Sequence, residues 1–210
     1  MPRKFFPAIF LTFALALLAG CDEDVDQRPV SENWQRIDAS GHILSPGDAG
    51  PHRCVFDPAS GLMWQVHDAA GGRHDRDHRY TWYSTDKHRH MSEPGLADGG
   101  VCEGSACDTQ SLVEATNRDR LCGHDGWRMP DREELMSLGD VALRESELIV
   151  DQTFFPGAVA GEYWTGETFR LYPESAWAVH FGNGLDRADL KTEAKAVRLV
   201  REHAPAMETD

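Results

Sequence analysis

Apolar positions in this chain fall in short runs separated by turn-forming residues, and the period of the pattern changes along its length. His52–Asp57 (HRCVFD) and Gly61–Val66 (GLMWQV) flank Asp-Pro-Ala-Ser-Gly, whose residues supply turn geometry, so two short strands are predicted there. Tyr80–Ser84 (YTWYS) reads as a further extended piece. From His88 to Ala106 periodicity vanishes and glycine accumulates, which predicts a long loop. Such a loop is uncommon unless it is functional or fastened. At Asp108–Gly123 the spacing becomes helical: Leu112, Ala115, Thr116 and Leu121 share a face, Asp108 or Thr109 can cap the start, and Gly123 follows the end. A second helix begins at Asp131, with Asp131 and Glu134 at capping-box spacing, Leu135 and Leu138 on one face, and Gly139 at the stop. The last third is β-rich, with short runs in EYWTGE, AWAVHF and AVRLVR. Gly182-Asn183-Gly184 suits a primed hairpin turn. No repeat is visible, so the expectation is one α+β domain over residues 34–202.

The flanks have a different character. Residues 1–20 carry Arg3 and Lys4, then an apolar run from Phe5 to Ala19. That run is shorter than the roughly 18–20 residues of a spanning helix and fits a signal-peptide core. It ends in Leu-Leu-Ala-Gly-Cys, which resembles a bacterial lipobox with Cys21 as the lipidated residue. The expected protein is therefore tethered to a membrane by acyl chains, each buried methylene contributing about 0.8 kcal/mol. Asp22 resembles an inner-membrane retention signal, though inner and outer membrane both stay open. Residues 21–33 are acidic and poor in large apolar residues, as in a linker, and 203–210 form a polar tail.

Charge narrows the partners. The formal net charge is -14, and loss of Arg3 and Lys4 with the leader makes it -16. Such a chain repels nucleic acid, so no nucleic-acid partner is expected. The basic residues Arg73, Arg76 and Arg79 alternate with Asp75 and Asp77 and form no dense patch. Beyond Cys21, Cys54, Cys102, Cys107 and Cys122 remain, an even number that in an extracytoplasmic protein suggests two disulfides. Three pairings are open. The preferred one joins Cys102 to Cys107 around a small loop and Cys54 to Cys122 over the long interval, stabilising by roughly 4 kcal/mol in the chain-entropy picture. Close cysteine pairs of the zinc-site kind are missing.

Cys122–Leu135 (CGHDGWRMPDREEL) is the stretch with the most reactive-looking residues. Each has a structural use. Pro130 holds Met129 extended, Asp131 and Glu134 cap the following helix, Trp127 belongs in the core with its indole N–H on a carbonyl, and Arg128 pairs with a nearby acid such as Glu133 or Asp140. No catalytic residue is assigned, since His124 and Asp125 have no nucleophile near them in sequence.

SGLMWQV (Ser60–Val66), YTWYS (Tyr80–Ser84), LCGHDGWRMPDREELMSL (Leu121–Leu138), YWTGE (Tyr163–Glu167), AWAVHFGNG (Ala176–Gly184) and AVRLVR (Ala196–Arg201) occur in this order. Together they resemble the C-terminal domain of Legionella collagen-like proteins, long catalogued as a bacterial domain of unknown function. Met129 stands where that family usually has Leu. The resemblance implies a C-type-lectin-like fold: two helices against a small curved, mostly antiparallel sheet, terminal strands close together, and a long irregular loop region. It implies an extracellular or envelope setting. The founders bind sulfated polysaccharides as trimers. This chain lacks the collagen stalk and is acidic, so neither property is carried over.

Three functions compete. The first is a non-enzymatic recognition or structural module whose partner is a glycan or an envelope protein, with Tyr80, Trp82 and Tyr83 of the His67–Ala106 loop as candidate stacking platforms. No metal or cofactor is assigned to it: Glu93-Pro94 is followed by Gly95 rather than by a calcium-lectin residue, and Asp186 and Asp189 are weak calcium candidates. The second is an enzyme resembling the formylglycine-generating type, which uses a late cysteine pair and copper. This chain has no cysteine after Cys122. The third is a metal site on His74, His78, His88 and His90, which has ligand-like spacing but lies in a Gly-rich segment. Titration of these imidazoles near pH 6.5 would make the loop pH-sensitive.

Overall fold

The structure is a computed structural model that describes residues 31–48 and 50–202. The expected leader, Cys21, the expected linker before Ser31 and the 203–210 tail lie outside the described residues. Ser31 is buried and its hydroxyl donates to the Asp151 carboxylate at 2.6 Å, so residues assigned to the linker take part in the packed domain.

Three small antiparallel sheets replace the single curved sheet that was expected. The first has the order β1 (Gln35–Ile37), β2 (Cys54–Asp57), β3 (Leu62–Gln65) and, closing the domain, β9 (Val200–Glu202). β2 and β3 form the hairpin read from the sequence, in the register Cys54↔Gln65 to Asp57↔Leu62. The second sheet pairs β4 (Tyr80–Thr81) with β8 (Ala194–Lys195). The third runs β5 (Glu162–Thr168), β6 (Ser175–His180) and β7 (Asp186–Leu190). β6 and β7 are joined through residues 181–184 with the His180 and Leu185 main chains bonded. The connection is thus a four-residue loop with Gly184 at φ +72°, not the two-residue primed turn expected of Asn-Gly.

Helices α1 (Lys87–His90), α2 (Thr109–Asp119) and α3 (Arg132–Met136) lie between the sheets in sequence. α2 starts where read, with Asp108 accepting from the Ser111 N–H at 2.8 Å, and buries Leu112, Ala115 and Thr116. It stops earlier than expected: Arg120 and Cys122 both adopt the left-handed region, at φ 54° and 53°, which breaks the helix before Gly123. The one-turn α1 interrupts the predicted loop, capped by the Asp86 carboxylate.

The core lies on both faces of the central strands, so β3 is buried at every position rather than alternating. Trp64 and Tyr163 pack with Trp34, Leu135, Phe155 and Phe181 on one side. Met63 and Trp164 pack with Tyr80, Trp82, Leu112 and Trp127 on the other. AVRLVR is likewise divided between the two faces: Val197 and Leu199 face the second cluster, while Arg198 is fully buried over the Phe155 ring at 4.2 Å and donates to the Gln65 carbonyl at 2.7 Å.

The disulfides are Cys54–Cys122 and Cys102–Cys107, the preferred pairing. The first ties β2 to the end of α2. The second staples the glycine-rich loop, which Arg73 also holds through two bonds to the Gly104 carbonyl and an ion pair with Asp119.

Candidate functional site

The tryptophan–arginine–proline corner is built as bracing. Trp127 is 2% exposed, and its indole N–H is shared between the Leu121 and His124 carbonyls at 3.2 and 3.1 Å. The Arg128 main chain pairs with Val200 in both directions, at 2.8 and 3.0 Å, which fastens the corner to β9. The Arg128 guanidinium meets neither Glu133 nor Asp140, the acids expected. It makes a bidentate pair with Glu134, both bonds 2.7 Å, and Glu134 also accepts from the Asp131 N–H at 2.8 Å while Asp131 accepts from the Glu134 N–H at 2.7 Å. The capping box and the ion pair therefore share one carboxylate. Burial alone would raise the Glu134 pKa; the Arg128 hydrogen bonds, the Asp131 N–H and the Arg128 charge outweigh it and lower it.

The outer side of that corner borders a cleft. Between Trp164 and Thr168 the pairing of β5 with β6 is irregular, which pushes Gly166 out of line. The Gly166 N–H bonds to the Pro130 carbonyl at 2.7 Å, tying this bulge to the corner. A Cβ on Gly166 would come within 2.8 Å of Arg89 Nη1 and 3.1 Å of Met129 Cβ, so glycine is what leaves the space open. Three cavities meet there, and each is bordered by both Arg89 and Gly166. One of about 630 Å³ is lined by Asp86, His88, Arg132, Thr168, Arg170 and Trp177. One of about 300 Å³ is lined by Trp82, Tyr83, Val113 and Met129. A third, of about 240 Å³, lies over Pro130, Asp131 and Glu167.

Cations dominate the largest cavity, with Arg89, Arg132 and Arg170 against Asp86 and Glu167. Both carboxylates have partners at its wall: Asp86 caps α1 and lies 3.8 Å from Arg89 Nε, and Glu167 accepts from the Arg132 N–H at 3.2 Å. Arg132 lies on the Trp177 ring at 4.6 Å and donates to Asp186 at 3.1 Å. Arg89 and Arg170 are exposed.

The other sequence-derived candidates separate. Tyr80 and Trp82 are only 3% and 2% exposed, so they are core residues and not stacking platforms. Their polar atoms are spent inside: Tyr80 Oη donates to the Arg73 carbonyl at 3.1 Å and the Trp82 indole to Thr165 at 2.9 Å. Tyr83 is half-buried and reaches the cleft. Asp186 and Asp189 pair with Arg132 and with Lys195 and Arg187, so they do not converge as a calcium site. His74 turns inward to Gln65, and burial, with Arg53 and Arg73 nearby, lowers its pKa to about 4, against the expected titration near pH 6.5. Among the described residues no three or more His, Cys, Asp or Glu are grouped so as to hold a metal ion. Cys54, Cys102, Cys107 and Cys122 are all in disulfides, so the corner borders a cleft without a free thiol.

Sequence reading missed Arg89, Arg132, Arg170, Gly166 and Trp177, which are far apart in the chain and form no basic run. The glycine inside YWTGE was the one available signal, because glycine within a strand marks a bulge or a close approach.

An α+β domain of small antiparallel sheets, braced by a capped corner and two disulfides, defines the class. The sequence matches the Lcl C-terminal domain over residues 53–201, and the chain belongs to that family of Legionella collagen-like protein C-terminal domains. Membership fits an extracellular or envelope protein. No curated protein and no solved structure gives a match. Among the described residues no helix is long and apolar enough to cross a membrane.

Proposed function

We propose that this chain is a lipid-anchored envelope protein whose domain is a non-enzymatic recognition module, with its ligand taken by the cleft at Gly166. The observation that carries the reading is the convergence of Arg89, Arg132 and Arg170 beside the half-buried Trp177 in a chain of net charge -14. A cleft that collects cations on an acidic protein favours a ligand with an anionic group, and an aromatic side chain beside them favours a ring or an apolar segment. A glycan or an envelope protein meets both demands. The membrane tether rests on the resemblance of Leu17–Cys21 to a lipobox. A C-type-lectin-like plan is supported by the stapled loop between β4 and α2, although β1 and β9 stand at opposite edges of their sheet rather than side by side. The non-enzymatic reading is supported by the engagement of all four of those cysteines in disulfides, since the formylglycine-type chemistry needs free thiols.

The test is a glycan and envelope-protein binding screen on residues 21–210 carrying Cys21→Ser, with and without calcium. Arg132→Ala and Trp177→Ala are each expected to weaken a hit at least about tenfold, the scale of a lost charge-assisted contact. Full binding by the double variant would overturn the cleft as the site. Turnover of a cysteine-containing peptide would overturn the non-enzymatic reading.

A further inference from the structure

The 300 Å³ cavity differs chemically from its neighbours. Trp82, Tyr83, Val113 and Met129 supply an apolar face of its wall. Its polar groups are already paired: Thr109 Oγ1 donates to the Tyr83 carbonyl at 2.9 Å and accepts from the Tyr83 N–H at 3.0 Å. Gln110 accepts from the Thr85 N–H at 2.6 Å and donates to Glu114 at 2.9 Å. Arg128 is held by Glu134. Ser84, Thr85, Asp86 and Glu114 also border it, so the part suited to an apolar group is the face made by Trp82, Tyr83, Val113 and Met129. The rim carries a contrasting feature, the exposed Arg89. Its nearest carboxylate oxygen, on Asp86, is 3.8 Å away, beyond hydrogen-bond distance.

We propose that this cavity takes the C-terminal residue of a peptide, its large apolar side chain inside and its carboxylate on Arg89. The inference rests on the cleft being the ligand site and names what one lobe of it selects. A guanidinium matches a planar carboxylate with two parallel hydrogen bonds. The volume is at the lower end for ligand cavities, sized for one side chain rather than a long acyl chain. The larger, cation-rich cavity across Arg89 accommodates the residues that precede the terminus.

Small probes separate the parts. Residues 21–210 with Cys21→Ser are titrated with N-acetylphenylalanine, N-acetylphenylalaninamide, N-acetylglycine and octanoate, following the Val113 and Met129 methyl signals and the Gly166 amide by NMR. The acid is expected to move all three signals, the amide to bind about tenfold more weakly, and N-acetylglycine to leave Val113 unmoved. Arg89→Gln is expected to abolish the difference between acid and amide while the melting temperature stays unchanged, because Arg89 is exposed and holds no short ion pair. Equal midpoints for acid and amide, or binding of octanoate without N-acetylphenylalanine, would overturn the proposal. So would a screening hit that needs Arg132 and Trp177 while no probe moves Val113; that result leaves the cleft reading intact. Indifference of every hit to Arg132→Ala and Trp177→Ala would instead refute the cleft itself.

Discussion

Mild acid should loosen this domain well above the pH at which its carboxylates protonate. Gln65 fixes the reason. Its Oε1 accepts the Leu199 N–H at 2.9 Å, so its amide nitrogen is the atom 2.9 Å from His74 Nδ1 and donates to it. Protonating His74 would set an N–H against an N–H in a site shielded from water. Burial first, then the charges of Arg53 and Arg73, lower the folded pKa to about 4 from 6.5. A histidine held neutral by the fold binds its proton more readily when unfolded. Stability is therefore complete above pH 6.5 and falls as pH drops through the window down to about 4. Between pH 7 and pH 5 the loss from His74 alone is about 2 kcal/mol. His67 adds to it with the same sign: it is buried, its Nε2 donates to the Val197 carbonyl at 2.7 Å, and burial followed by the Arg198 charge pulls its pKa well down. Urea unfolding at pH 7 and pH 5 reads the effect. With a slope of about 2 kcal/mol per molar, the midpoint should fall by about 1 M or more. His74→Gln keeps an acceptor for Gln65 and cannot titrate, so it should remove the His74 share of the dependence and leave that of His67. An unshifted midpoint in the unsubstituted protein, or an imidazole signal of His74 titrating near pH 6.5, would refute the reasoning.

Glu134→Gln leaves Arg128 half-buried without its carboxylate and should cost about 2 kcal/mol in denaturant unfolding. Because the folded Glu134 pKa is lowered, this pair's contribution should be complete above about pH 4.5 and fade as pH falls through the folded value, a window that begins near the lower end of that of His74. Replacing Cys54 and Cys122 together by serine should cost roughly 4 kcal/mol, against roughly 2 kcal/mol for the Cys102–Cys107 pair, since the closed intervals are 68 and 5 residues; calorimetry of both variants checks the order. Gly166→Ala should leave the melting temperature within a few degrees if Arg89 swings aside. It should still weaken any cleft ligand, because the new methyl stands where three cavities meet.

Features written in adjacent residues could be read from the sequence. The capping box at Asp131 and Glu134, the hairpin around Asp57–Gly61 and the Asp108 cap each need only local spacing, and each is present. Features set by distant partners could not. Tyr80 and Trp82 look like a recognition loop in one dimension, but partners more than eighty residues away close over them: the Trp164 indole on the Tyr80 carbonyl, and the Thr165 carbonyl and the Lys191 ammonium, 4.1 Å from the ring centre, on Trp82. The same holds for His74, whose metal-like spacing to His78 says nothing of Gln65. The cleft is the extreme case, because Arg89, Arg132, Arg170 and Trp177 lie on four separate elements or their edges and join only once β5 bulges.

The corner does more than brace. The Pro130 carbonyl receives the Gly166 N–H at the point where β5 loses register with β6. The Arg128–Glu134 pair fixes the corner against β9 and the start of α3, and the residues it fixes are those that line the cleft: Arg128, Met129, Pro130, Asp131 and Arg132 all border one cavity or another. Scaffolding and site are two sides of one turn. A substitution that leaves the fold intact but loosens this turn, such as Glu134→Gln in a background stabilised elsewhere, is thus expected to weaken ligand binding without touching the ligand. The separating measurement is the ratio of binding loss in Glu134→Gln to that in Trp127→Phe. Trp127 supports the same corner from inside the core, through the Leu121 and His124 carbonyls, and takes no part in the Gly166 hydrogen bond. Equal binding losses at matched stability would mean that the turn is only a brace and that the cleft is positioned by other elements.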